Sequence, residues 1–273
     1  MKISLIIAVY NEEKRIKECL DSLSKQTYKD MEVIVVDDGS TDSTFSLCTM
    51  YYALCTVFQQ KHQGAGAARN LGATKATGDI LVFVDADMVF KEDFVEKLVA
   101  PVIVGKSRGV FSKEEYLANK DNVWAVCWNL NRNLPADRMH PKNYPDKQRV
   151  FRAILKKEFD RVGGFNVQKG YIDDWSLSEK LGYLADNSPG AIFYHHNPDN
   201  LKDVFIQSKW MGKREYKSWV LAILRVSLPV SLIMGLLKSV QYALPAFLIF
   251  KIVSDIGIFV GIIEKVLLGR VAK

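Results

Sequence analysis

Apolar residues in the first third of the chain fall into short unbroken runs: Lys2–Val9 (KISLIIAV), Met31–Val36 (MEVIVV), Cys55–Phe58 (CTVF) and Ile80–Val84 (ILVFV). Runs of this length, rich in Val and Ile and bounded by polar residues, predict strands buried on both faces. Between them, Lys14–Ser24 has helical spacing, and the small-residue stretch from Gly64 to Asn70 reads as the start of another helix. Alternating strands and helices predict an α/β domain with a mostly parallel sheet covered on both faces. From Trp219 the pattern changes. Trp219–Leu237 and Val240–Ile263 are almost wholly apolar, each holds one proline (Pro229, Pro245), and each approaches the roughly 20 residues needed to cross a bilayer. Arg225, Lys251 and Asp255 interrupt them. Three readings stay open for this tail: a hairpin of spans, two amphipathic helices lying in the membrane interface, or a soluble helical pair. A turn near Lys238 would bring the three charges to similar depth as an ion cluster. The expected division is a domain over 1–215 and membrane-associated helices over 216–273.

Every predicted strand runs into chemistry at its C-terminal end, where ligands of parallel sheets bind. The fourth run ends in Asp85-Ala86-Asp87, the second in Asp37-Asp38-Gly39-Ser40-Thr41-Asp42, and the first in Tyr10-Asn11-Glu12-Glu13. The third precedes Gly64-Ala65-Gly66-Ala67-Ala68-Arg69-Asn70, whose small residues allow close backbone approach by a ligand. Alternation along a strand would put Asp85 and Asp87 on one side, as hard oxygen donors for Mg2+ or Mn2+ that keep substrate phosphates as partners. Each motif alone has a plainer reading: a solvated turn, a rim aromatic at Tyr10, a helix cap at Asp38, a surface ion pair at Arg69. Their joint occurrence in this order is far more specific.

With Ala8-Val9-Tyr10-Asn11-Glu12, the Asp37–Asp42 motif, Gly64–Asn70 and Asp85-Ala86-Asp87 together, the chain resembles family 2 glycosyltransferases, which have the GT-A nucleotide-sugar fold. The match is close over about the first hundred residues and looser to about 215. The resemblance implies transfer of a sugar from a nucleotide-diphosphate donor, with inversion and a divalent metal. It places Ala8, Tyr10 and Asp38 at the base, and Glu12, Gly64, Arg69, Asp85 and Ala86 in the donor site. Asp87 would be the direct metal ligand and Asp85 would contact the ribose or the metal shell. The pair Asp173-Asp174 occupies the place of the family's acid pair, with Gly163-Gly164-Phe165 before it. Asp174 is the expected base and Asp173 its orienting partner; the competing reading is an N-cap for a helix over Trp175–Leu184. His195 or His196 would complete the metal or diphosphate site. Lys209 and Lys213 stand in a degenerate form of the family's basic element over the donor phosphates, with a juxtamembrane basic stretch as the competing reading. Where relatives of the polyprenyl-phosphate type carry a Gln two residues after the acidic motif, this chain has Val89.

Composition adds little beyond this frame. The 273 residues carry 37 Lys and Arg against 31 Asp and Glu, a net charge of +6 that suits anionic donors and an anionic membrane leaflet. No RNA-binding motif or interleaved basic-aromatic run supports a nucleic-acid partner. The four cysteines lack metal-site spacing and read as reduced thiols of a cytoplasmic-facing domain, and residues 1–9 do not read as a signal peptide. Basic residues precede the apolar tail (Lys209, Lys213, Arg214, Lys217) and follow it (Lys265, Arg270, Lys273), which predicts a cell-membrane protein with its catalytic domain on the cytoplasmic side. The expected acceptor is a membrane lipid, either a polyprenyl phosphate or a lipid-linked glycan. The alternatives are a peripheral enzyme extending a cell-surface polysaccharide and a non-catalytic nucleotide-sugar binder. The segment Pro101–Arg149 is the least readable and resembles an acceptor loop that covers the site or meets the membrane surface through Trp124 and Trp128, but two Trp at this spacing are more often core.

Overall fold

The computed structural model describes residues 1–51, 53–141 and 143–269, with backbone alone for Tyr171 and Ile172. Along the chain run β1 (Ile3–Val9), α1 (Ile16–Ser24), β2 (Met31–Asp37), α2 (Thr44–Thr49), β3 (Cys55–Gln59), α3 (Ala65–Lys75), β4 (Ile80–Asp85), β5 (Met88–Phe90), α4 (Phe94–Ile103), β6 (Gly109–Phe111) and β7 (Glu115–Leu117). Then come α5 (Val123–Asn131), β8 (Lys147–Gln148), β9 (Ala153–Leu155), α6 (Lys156–Arg161), a 3-10 helix (Val167–Trp175), α7 (Ser176–Leu181), β10 (Ala185–Asn187) and β11 (Phe193–His195). Four helices follow: α8 (Leu201–Gly212), α9 (Trp219–Arg225), α10 (Leu228–Gln241) and α11 (Ala246–Leu268). Contacts divide the chain into two units, one of residues 1–116 with 142–195, the other of 117–141 with the residues from 196 on.

The first unit is built on an eight-stranded sheet of order β3-β2-β1-β4-β9-β6-β10-β8. β3, β2, β1 and β4 are parallel as their unbroken apolar runs require; beyond them β9 is antiparallel to both β4 and β6, so the sheet is mixed. Side-chain alternation divides the core in two. Ile3, Leu5, Ile7, Val33, Val35, Val82 and Val84 pack toward Leu20 and Leu23 of α1 and Phe94 and Leu98 of α4. Ile6, Ile34, Val36, Leu81 and Phe83 meet Ala68 and Ala73 of α3 with Phe159 and Phe165. The small side chains of α3 let it lie close to the sheet: a β-carbon on Gly72 would sit 2.5 Å from Ile6 Cγ2. A separate three-stranded sheet has the order β5-β11-β7.

In the second unit α5 supplies Cys127, Trp128 and Leu130 to a core with Val204, Phe247 and Phe250, and Trp124 packs against it, so both Trp are core residues as their spacing favours. Buried Asn197 ties this stretch down, giving hydrogen bonds from Nδ2 to the Ala125 carbonyl (3.1 Å) and Asn129 Oδ1 (2.9 Å). α8 and α11 approach on glycines: β-carbons on Gly212 and Gly261 would collide with the backbone carbonyls of Ile258 and Lys209. Small residues let two helix backbones meet in this way. α11 is long and apolar enough to cross a membrane; α9 and α10 reach that length and apolarity only together, as a pair bent by 50°.

The prolines start helices here and do not lie within them. Pro229 sits in the first turn of α10 and Pro245 caps α11, so the chain reverses at Tyr242–Pro245 and not near Lys238. The expected three-charge cluster is therefore only partly formed. Lys251 Nζ donates to Asp255 Oδ1 and Oδ2 at 2.7 and 2.6 Å, Ser231 Oγ donates to Asp255 Oδ2 at 2.6 Å, and Arg225 stays exposed at the end of α9.

Candidate active site

Parallel register puts the polar ends of β1, β2 and β4 side by side, with Ala8 opposite both Val36 and Asp85, and Val9 opposite Asp37. The β1–α1 and β2–α2 loops then lock together. Asn11, at φ 55°, accepts at Oδ1 from the Thr41 amide (2.8 Å), while the Glu12 amide donates to Thr44 Oγ1 (2.8 Å). Asp38, 2 % exposed, is turned inward. Its Oδ1 accepts from the Gln63 amide (2.8 Å) and Gln60 Nε2 (2.7 Å), and its Oδ2 from the Gly64 amide (2.8 Å). Asp38 thereby shapes the loop leading to α3, whose cap Gly64 has φ 98°. Tyr10 lies at the rim, stacked on His62 with ring centroids 4.1 Å apart.

Asp85 ends β4, so strand alternation stops there; Ala86 is buried and Asp87 follows in a turn. The two carboxylates consequently have separate partners. Asp85 Oδ1 accepts from Arg69 Nη2 at 2.7 Å and Oδ2 from Arg152 Nη1 at 2.9 Å. Burial opposes its charge, but Arg152 and Arg69 outweigh that and hold its pKa far below the usual carboxylate range. Both Asp85 oxygens are thus engaged by guanidinium groups, which tie the donor motif to α3 and to the residue before β9.

Asp87 faces His195, because β11 pairs antiparallel with β5 in a register that sets His195 against Met88. His195 Nε2 lies 3.0 Å from Asp87 Oδ2 and Nδ1 lies 2.6 Å from Glu115 Oε1. Burial works against an imidazolium here, yet Asp87 and Glu115 together raise the His195 pKa well above its ordinary value. His195 thereby joins Asp87 to Glu115. His196, the other candidate, opens the second stretch of the second unit.

Asp87 Oδ1 is buried and without a hydrogen-bond partner. Burial, and then Asp87, push the neighbouring Glu12 carboxyl up to about 8. No group of three His, Cys, Asp or Glu among the described residues is arranged to hold a metal ion. A magnesium or manganese ion that keeps water and substrate phosphate ligands needs only one or two carboxylates, and the orphaned Asp87 Oδ1 beside Glu12 fits that requirement.

The acid pair is joined to this cluster through α3. Arg69 Nη1 lies 3.5 Å from Asp173 Oδ1, and a β-carbon on Gly66 would fall 2.5 Å from Asp173 Oδ2. Asn70 clamps the Gly163-Gly164-Phe165 turn, whose glycines have φ 67° and 69°: Nδ2 donates to the Phe165 carbonyl and Oδ1 accepts from its amide, both at 2.9 Å. The 3-10 helix runs through both acids and α7 begins only at Ser176, ending at Gly182, so neither Asp173 nor Asp174 caps a helix over Trp175–Leu184. Burial raises Asp173 against the pull of Arg69; burial pushes Asp174 up to about 6, with Arg69 opposing and Asp173 adding to the rise.

Lys209 and Lys213 belong to the second unit, where both pair with Glu264 at 2.6 and 3.1 Å. Sequence reading missed Arg152, Glu115 and His62. Each gets its partner through tertiary contact, Arg152 from just before β9 beside β4 and Glu115 from β7 of the small sheet, and none lies in a recognisable motif.

These features agree with known proteins. The family model described as glycosyl transferase family 2 matches residues 4–168. Glycosyltransferase GlyA of Streptococcus pneumoniae is 38% identical over 238 residues, covering 77% of this chain and 32% of GlyA. Glycosyltransferase AglE of Haloferax volcanii is 38% identical over 106 residues, 37% of this chain and 35% of that protein. The chain thus spans about a third of the length of these curated relatives. Among solved structures, the mannosyltransferase PcManGT of Pyrobaculum calidifontis, in complex with GDP-Man and Mn2+, superposes with TM-score 0.61 at 19% identity, covering 98% of this chain and 88% of that one. TarS 1–349 of S. aureus in complex with UDP gives 0.58 at 18%, covering 99% and 92%. The fold is GT-A, and with a family match over more than half its length the chain belongs to glycosyl transferase family 2.

Proposed function

We propose that the protein transfers a sugar, with inversion, from a nucleotide-diphosphate donor to a hydroxyl of an acceptor held at the membrane. The observation that carries this reading is Arg69, whose guanidinium reaches Asp85 of the donor motif and Asp173 of the acid pair. One rigid helix therefore sets donor and acceptor machinery at a fixed separation. The neighbours crystallised with UDP or with GDP-Man and Mn2+ support a nucleotide-sugar donor and a divalent cation.

In this mechanism Tyr10 and the Asp38-shaped loop receive the base, and the ends of β1 and β4 with the start of α3 receive the diphosphate. Asp174 takes the proton of the acceptor hydroxyl as its oxygen attacks the anomeric carbon and the diphosphate departs. A divalent cation on Asp87 and Glu12 would supply Lewis-acid stabilisation of the leaving diphosphate. His195, anchored by Glu115, holds Asp87 in place. A carboxyl raised to about 6 suits a hydroxyl acceptor; a phosphate acceptor is already ionised at neutral pH and needs no base. A lipid-linked glycan is therefore favoured over a polyprenyl phosphate. α11, with the bent α9–α10 pair, would hold the protein at the membrane, its catalytic domain on the cytoplasmic side. The 50° break favours a form in which α9 and α10 lie in the interface.

The test is turnover of a panel of UDP- and GDP-sugars by the protein in detergent with Mn2+, following diphosphate release and lipid-extractable sugar. Metal-dependent release from one donor, abolished by EDTA, is expected. Silence across the panel would overturn the transferase reading.

A further inference from the structure

Directly after Asp174 stands Trp175, a residue 39% exposed at the end of the 3-10 helix. Trp128, by contrast, is packed into a core. The Trp175 indole is nevertheless held: the Arg149 guanidinium lies 5.2 Å from its centroid, and the backbone beneath it accepts a 2.8 Å hydrogen bond from Ser178 Oγ. Arg149 is itself exposed, and three residues on, Arg152 reaches Asp85. One short segment thus braces the indole at one end and the donor-side carboxylate at the other.

We propose that Trp175 and Arg149 form an acceptor subsite for a pyranose, stacked by its C–H face on the indole with its hydroxyls toward Asp174. The proposal rests on the transferase reading and deepens it by naming the side chains that seat the acceptor's sugar ring. An exposed indole offers a rigid apolar plane matched to the axial C–H groups of a pyranose, while a bare phosphate gains nothing from such a plane. The guanidinium over the ring keeps its outer N–H groups available for ring hydroxyls.

The test uses the full chain in a sugar-free zwitterionic detergent, with the donor identified by the panel. Octyl β-glycosides of glucose, galactose, mannose and N-acetylglucosamine serve as acceptor probes, with farnesyl phosphate alongside. Transfer to at least one glycoside is expected. Trp175→Ala should raise KM for that glycoside at least tenfold with donor KM within twofold, Trp175→Phe should recover most of the loss, and Arg149→Ala should raise glycoside KM about threefold. An unchanged glycoside KM in Trp175→Ala, or an equal rise in donor KM, would overturn the subsite. So would donor consumption with transfer to farnesyl phosphate or water and to none of the glycosides, an outcome that leaves the transferase reading intact. If wild-type protein consumes no donor, the transferase reading fails and the subsite falls with it.

Discussion

Burial is the largest influence on the Asp174 carboxyl, with Arg69 opposing the rise and Asp173 adding to it. Because its folded-state pKa of about 6 lies above the ordinary 3.8, activity should decline as pH falls through about 6 and the base takes up a proton. Asp174→Asn should remove that acid limb and lower kcat at least a hundredfold, with donor KM little changed, in steady-state assays across pH. Stability runs the other way. The folded state holds this proton more tightly than the unfolded chain, so the group favours folding most below pH 3.8 and progressively less up to about 6. At pH 7 Asp174→Asn should therefore stabilise the protein by on the order of 2 kcal/mol, read in chemical denaturation. Arg152 acts through Asp85. Arg152→Met leaves that carboxylate with Arg69 alone and should cost about 1–2 kcal/mol of stability and raise donor KM, while Arg152→Lys should recover only part of both.

Among the elements, α3 has the densest set of obligations: Gly66 against Asp173, Arg69 between two acids, Asn70 on the Phe165 backbone, Gly72 against β1. Gly66→Ala should push the acid pair from its seat and lower kcat more than tenfold while circular dichroism stays unchanged, since the clash falls on a side-chain carboxylate and not on the sheet. The strands β1 to β4 were legible because continuous apolar runs can only be buried, and the polar residues at their ends followed. The acidic motif was legible as a motif but not in its geometry, since nothing in Asp85-Ala86-Asp87 says that the strand stops at its first residue. Arg152 and Glu115 were illegible for a related reason: antiparallel β9 and the small β5-β11-β7 sheet are specified by long-range pairing that leaves no local period. The helix breaks at Val226–Ser227 and Tyr242–Ala243 were hidden by uniformly apolar composition, which fixes burial but not where a helix ends.

At the scale of the whole molecule, the second unit holds a fully buried charge. Asp255 is 1% exposed and depends on Lys251 and Ser231. Lys251→Leu should therefore destabilise the protein by about 3–5 kcal/mol, and Lys251→Leu with Asp255→Leu should recover most of that, in thermal melts in detergent. The exposed apolar faces of α9, α10 and α11 should bring the protein down with sedimented liposomes in the absence of detergent. The first unit is discontinuous, its two stretches separated by residues 117–141 and held to each other by strand pairing and, at the site, by α3. This interdependence governs how such enzymes can be recombined. A chimera that imports the Gly163–Trp175 stretch from a relative to change acceptor preference inherits a clamp cut to that relative's own Gly66, Arg69 and Asn70 counterparts. Exchange of the two stretches together should give active hybrids, and exchange of either alone a lineage of well-folded but silent ones.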